Sequence, residues 1–146
     1  MRLVPLAILL GACAEMPPEI WLDRSPIELG VVTVDTTVSF GLQLSNQGGG
    51  ILEVEPFALR GDDDCAFFLE GPDLTELAGP SQGFIRGTFS PSRTGLHEIA
   101  IYLNSNAETL PNLIVPICAM VDDGSGTSEP PEMCEEPGPE AMNCMP

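Results

Sequence analysis

The sequence predicts an all-β fold, an antiparallel β-sandwich of seven or eight strands, with an apolar leader before it and a disordered acidic tail behind it. Three observations carry this. Apolar and polar residues alternate over short runs, as in "TTVSFGLQLSN", where Val38, Phe40, Leu42 and Leu44 stand against Thr37, Ser39, Gly41 and Gln43. A period of two places each set on its own face of a strand. The runs are cut at close intervals by Gly, Pro and Asn clusters, the spacing of a sandwich. No eleven-residue window carries a helical period with caps.

The elements follow in chain order. "SPIELGVVTV" opens the domain with Ile27 and Leu29 on one face. "TTVSFGLQLSN" stops at Asn46 and the glycines of "NQGGG", a turn cluster. "ILEVEPFAL" ends at a break, "RGDDD"; "CAFFLEG" is short and apolar; "GPDLTELAGPSQG" reads as loop. "FIRGTFSP" sets Ile85 and Phe89 on one face and stops at Pro91, and "LHEIAIYLN" does the same with Ile99, Ile101 and Leu103. "NLIVPICAM" is the last strand, in which Pro116 lacks a donor and therefore marks an edge or a bulge. The expected core is Phe40, Leu42, Phe89, Ile101 and Leu103.

Composition shifts place the boundaries: a leader over 1–12, a tether over 13–21 with Pro17-Pro18, one domain over 22–121, and a tail over 122–146. The domain has the usual length for one compact unit, about 100 residues. The tail holds seven acids and no base among frequent Gly, Pro and Ser. Such a segment buries too little apolar surface to offset its ordering entropy.

The leader has three parts: the positive end Met1-Arg2, the apolar run "LVPLAILL", and small residues Gly11-Ala12 before Cys13. That is the layout of a secretory signal. The run is too short for a transmembrane helix, which needs roughly 20 apolar residues. Leu10-Gly11-Ala12-Cys13 resembles the bacterial lipobox. The resemblance implies that Cys13 becomes the amino terminus, with diacylglycerol on its sulfur and an acyl chain on its amine. The membrane is then a partner through the N-terminal lipid, since more than one acyl chain gives stable anchoring. Ala14 after the cysteine resembles the signal for outer-membrane sorting, so the resemblance implies an exported, outer-membrane lipoprotein of the cell envelope. An ordinary secretory leader is the other reading.

Four phrases in order, "SPIELGVV", "LQLSNQGGGILEVEPFAL", "GTFSPSRTGLHEIAIYLNSN" and "LIVPICAM", resemble one repeat of the ASH-type Ig-like domains. These are related to major-sperm-protein domains and travel in bacterial surface proteins as choice-of-anchor D. The matching pairs are Pro26 with Gly30, Asn46 with Gly48, Phe89 with Pro91, and Ser105 with Asn106. The likeness spans roughly 22–121 in a single copy, where the family often has tandem arrays. It implies an Ig-like sandwich, turns closed by the amides of Asn46 and Asn106, and a scaffolding or protein-binding role without catalysis.

Charge and site chemistry point the same way. The net charge is −17, and all five basic residues are arginine, so the surface repels nucleic acid. The one histidine, His97, sits at a strand start and reads as an exposed or edge side chain rather than a catalyst. There is no Gly-x-Ser-x-Gly elbow, no Cys-x-x-Cys and no phosphate-cradling glycine loop. No enzyme, cofactor or metal site is expected. Asp62, Asp63 and Asp64 lack the spacing of a Ca²⁺ loop and read as a charged turn.

Four cysteines remain beyond Cys13: Cys65 and Cys118 in the domain, Cys134 and Cys144 in the tail. Export would bring them into an oxidising compartment, where three pairings are open. Proximity favours Cys134 with Cys144. Met133, Met142 and Met145 lie among the tail cysteines, and soft sulfur ligands suit Cu(I). The expected function is a lipid-anchored, non-catalytic envelope module that binds a protein; the alternative is a metal-handling envelope protein using the tail.

Overall fold

The alternation read in the sequence becomes ten strands in the computed structural model, which describes residues 16–55, 58–61, 65–70 and 75–137. They are β1 (Ile20–Leu22), β2 (Ile27–Thr33), β3 (Val38–Asn46), β4 (Leu52–Glu53), β5 (Ala58–Arg60), β6 (Phe67–Glu70), β7 (Glu76–Leu77), β8 (Ser81–Phe89), β9 (Gly95–Asn104) and β10 (Asn112–Asp122). One sheet has the order β1-β3-β8-β6, the facing sheet β2-β10-β9-β5, and β4 and β7 form a small ribbon. This is an all-β, Ig-like sandwich. The short pieces raise the count above eight. β1 begins within the stretch expected to be tether, and β7 lies in the segment read as loop, paired through Leu52 and Leu77. No helix of the described residues is long and apolar enough to cross a membrane.

The inward faces obey the period of two. β3 contributes Phe40, Leu42 and Leu44; β8 contributes Ile85 and Phe89; β9 and β10 contribute Ile99, Ile101, Leu103, Val115, Ile117 and Val121. All five expected core residues are buried. Each such side chain contributes roughly 1.5–3 kcal/mol by leaving water. Phe67 stacks on Phe89 with ring centroids 4.2 Å apart, and Phe40 meets Phe67 edge-on at 6.2 Å. Gly87 makes room for this cluster: a Cβ there would lie 2.4 Å from the Phe40 ring and 2.6 Å from the Phe68 carbonyl oxygen.

His97 departs from expectation. It is fully buried rather than exposed, with Nε2 3.1 Å from the Arg93 carbonyl oxygen and its ring edge-on to Phe89 at 5.4 Å. Its place two residues before Ile99 puts it on the inward face of β9, and the strand's period decides the matter.

Most strand pairs are antiparallel, but β2 runs parallel to β10. Pro116 sits in β10 beside β9, and the ladder with β2 begins only at Ile117. The missing donor therefore falls where β2 supplies no partner, which is how proline stands in an interior strand. The bulge lies farther along. Glu28 pairs with Cys118 and Val31 with Met120, so Leu29 and Gly30 together oppose Ala119. Gly30 takes φ 71°, the left-handed geometry of a glycine bulge.

Asparagine side chains close the turns, as the family likeness implies. Asn46 is buried and fully used: Oδ1 accepts from the backbone N–H of Glu19 and Gly48, and Nδ2 donates to the carbonyls of Gly50 and Leu77. Asn106 accepts from the Glu53 N–H and donates to the Ile51 carbonyl, fastening the ribbon to the end of β9.

Candidate binding face

Period-two alternation gives each sheet an outer face as well as an inner one, and these faces are where a sandwich meets other molecules. On β10 the residue after Ile117 points outward, so Cys118 stands on the outer face of the β2-β10-β9-β5 sheet. It is nevertheless fully buried, because the chain returns over it. The reversal begins at Asp122, whose carboxylate accepts from the backbone N–H of Gly124 (3.0 Å) and Gly126 (3.2 Å). Cys134 then bonds to Cys118, with their Cα atoms 5.3 Å apart and the Cys134 sulfur 3.6 Å from the Ile27 carbonyl oxygen. Beyond it the Glu135 N–H donates to Glu98 and the Tyr102 hydroxyl donates to Glu136, each at 3.4 Å. Burial and the Glu136 carboxylate push the Tyr102 phenol upward, against the pull of the Arg60 guanidinium 4.6 Å over its ring.

This bridge corrects the expected pairing of Cys134 with Cys144. Proximity along the chain loses to the turn at Asp122, which carries the tail back over the sheet. It also removes the Cys134 thiolate from the copper reading. Cys65 is disulfide-bonded as well. Cys13, Cys144, Asp62, Asp63, Asp64, Met142 and Met145 lie outside the described residues. Among the described residues no group of His, Cys, Asp and Glu is arranged to hold a metal ion, and His97 points into the core.

The other outer face, on the β1-β3-β8-β6 sheet, carries no such strap among the described residues. Trp21 of β1, Phe84 of β8 and Phe68 of β6 project from it at 46%, 52% and 65% exposure. The register draws rows across the sheet. Trp21, Ser45 and Gln82 form one, Gln43 and Phe84 the next, and Arg86 and Glu70 a third. The Arg86 guanidinium lies 5.8 Å from the Phe84 ring centre.

β1 is only three residues long, yet it is pinned at both ends. At one end the Glu19 N–H donates to Asn46; at the other, Asp23 accepts from the Gln43 N–H at 2.7 Å. Arg24 holds the same carboxylate at 2.8 Å. Burial works to raise the Asp23 pKa, but the Gln43 N–H and Arg24 outweigh it and hold the group below the usual carboxylate range. Trp21 thus stands on a fixed platform. Placing it in a tether missed this, and the only signal was the brief in-out-in order of Ile20, Trp21 and Leu22.

No family model and no curated protein matches the chain. Solved structures do. A protein of unknown function from Porphyromonas gingivalis W83 superposes with a TM-score of 0.62 at 17% identity, over 77% of this chain and 51% of that one. The secreted serine protease VesC from Vibrio cholerae gives 0.56 at 12% identity, over 70% and 23%. The periplasmic chaperone SfaE gives 0.51 at 10% identity, over 72% and 58%. ASH/PapD-like and MSP domains also appear, with TM-scores of 0.45–0.49. The chain spans about half the length of the first of these structures and a quarter of the second. At such identities the likeness is one of fold alone.

Proposed function

We propose that the chain is a lipid-anchored, non-catalytic protein of the cell envelope, an ASH-type Ig-like module that binds a protein partner. One observation supports the binding reading most: the outer edge of β6. Its four residues pair with β8 in unbroken register, and among the described residues β6 is the last strand of its sheet. The edge of β2 is kinked by the Gly30 bulge, and β1 and β5 have three residues each. A regular terminal strand can accept a partner's strand through main-chain hydrogen bonds. Phe68, exposed beside it, supplies the aromatic anchor that interfaces favour. The leader and its lipobox support anchoring at Cys13, and the Cys118–Cys134 bridge fits an oxidising compartment outside the cytoplasm.

The test is photo-cross-linking in intact cells from a benzophenone side chain at position 68, with position 108 on a distant exposed loop as control. A discrete protein adduct in the membrane fraction from 68 alone is expected. With Cys13→Ser the chain should leave that fraction. Adducts equal at both positions would remove the edge from the reading, and membrane retention of the serine variant would remove the anchor.

A further inference from the structure

The opposite edge of the same sheet carries a different kind of surface. Beside Trp21 lies an open groove whose floor is β3 and whose far wall is the start of β8. Trp21, Gln43, Ser45, Gln47, Ser81 and Gln82 shape it, and none of the described residues lining it is charged. That is unusual ground in a chain with 22 acids and a net charge of −17. Most of this surface repels anions and attracts cations; here no charged side chain lines the groove, so its contacts favour an uncharged ligand.

The chemistry of the groove is specific beyond its neutrality. Trp21 offers a broad, half-exposed ring on a strand pinned at both ends. Across the sheet in the same row stand Ser45 and Gln82. The Gln43 amide donates to the Gln82 carbonyl oxygen, which fixes both side chains. Among the described residues this leaves the Gln82 NH₂ and the Gln43 carbonyl oxygen for a ligand. Amides and hydroxyls each donate and accept, so the groove offers both roles side by side next to an apolar plate.

We infer that this groove binds a neutral oligosaccharide. A sugar ring has the two matching parts, a face of C–H groups to lie on an aromatic ring and a rim of hydroxyls that donate and accept together. A peptide strand fits less well, because the groove lies on the face of the sheet, where backbone groups are already spent in the ladders. The open shape suits a ligand that continues into solvent at both ends. This site is separate from the proposed protein-binding edge: β3 and β8 lie between β1 and β6. Either reading can fail while the other stands.

Trp21 is the chain's one tryptophan, so its emission reports this groove alone. The full chain is titrated with soluble hexamers of glucose and of N-acetylglucosamine, with an anionic oligogalacturonate and a neutral peptide of similar length beside them. A saturable change of emission with a neutral hexamer is expected, with no response to the anionic sugar. In calorimetry, Trp21→Ala should abolish binding and Gln82→Glu should weaken it by about tenfold or more. The glutamine variant changes an exposed side chain, so it keeps the test decisive if the alanine variant folds poorly. No response to either neutral hexamer overturns the inference. So does equal binding of the anionic sugar, binding unchanged in the Gln82→Glu variant, or a response to the peptide alone.

Discussion

On the β2-β10-β9-β5 sheet the chain returns over the part of its outer face around Cys118, while on the β1-β3-β8-β6 sheet it leaves three aromatic rings in water. The covering is deliberate chemistry. A turn at Asp122 redirects the chain, a disulfide fixes it at Cys118, and contacts to Glu98 and Tyr102 follow. The bare face has the opposite character: strong local bracing by Asn46 and Asp23, and no strap among the described residues. One face is therefore used to complete the fold, and the other is available for recognition.

Substitutions can sharpen that contrast, beginning where both sheets share a residue. Phe89 is fully buried between them, stacked on Phe67 and touched by His97. Phe89→Ala should cost roughly 3–5 kcal/mol, read as a fall in the urea midpoint. An unchanged midpoint would mean the two sheets are not joined through this cluster.

The covered face comes next. The Cys118–Cys134 bridge closes a loop with a sequence separation of 16, and loop entropy for that length is about 3 kcal/mol. Replacing both cysteines by alanine should lower thermal stability accordingly, and non-reduced peptide mapping of the parent should recover residues 118 and 134 in one linked pair. A Cys134–Cys144 peptide instead would leave the face uncovered and erase the comparison.

The bare face should respond far less. Phe84→Ser removes an exposed ring, and its effect on stability should stay within about 0.5 kcal/mol. A loss as large as that at Phe89 would show that the face is structural rather than available.

The smallest effect is a pH dependence at Asp23. Its folded pKa is depressed, so its contribution is present above the ordinary carboxylate range and disappears as pH falls through the lower folded value. Asp23→Asn should lower stability slightly near neutrality and flatten that acid limb, so that the variant and parent converge at low pH, as followed by thermal melts at stepped pH. An unaltered acid limb would mean that Asp23 does not brace β1.

Much of the fold was legible because burial has a period. Phe40, Leu42, Phe89, Ile101 and Leu103 lie inside, as alternation requires. His97 obeyed the same rule, and reading it as a strand-end side chain set a general habit of histidine above the local register. Trp21 escaped because three residues are too few to display a period, and its position depends on groups over twenty residues away in sequence, the Gln43 backbone N–H and the Asn46 side chain. The disulfide escaped for a related reason. Pairing depends on where the tail travels, and a two-carboxylate-oxygen turn at Asp122 decides that in space. The parallel pairing of β2 with β10 was equally hidden, since periodicity tells which face a residue takes and not which strand lies beside it.

The strap has one consequence for how the chain ages. A protease that cuts the exposed stretch between Ser125 and Pro130 severs the backbone but releases nothing, since Cys134 still holds the far piece to Cys118. The nicked protein would keep its mass on a non-reducing gel and separate into two species only when a thiol is added. Damage in this exposed stretch is thereby decoupled from loss of what lies beyond it.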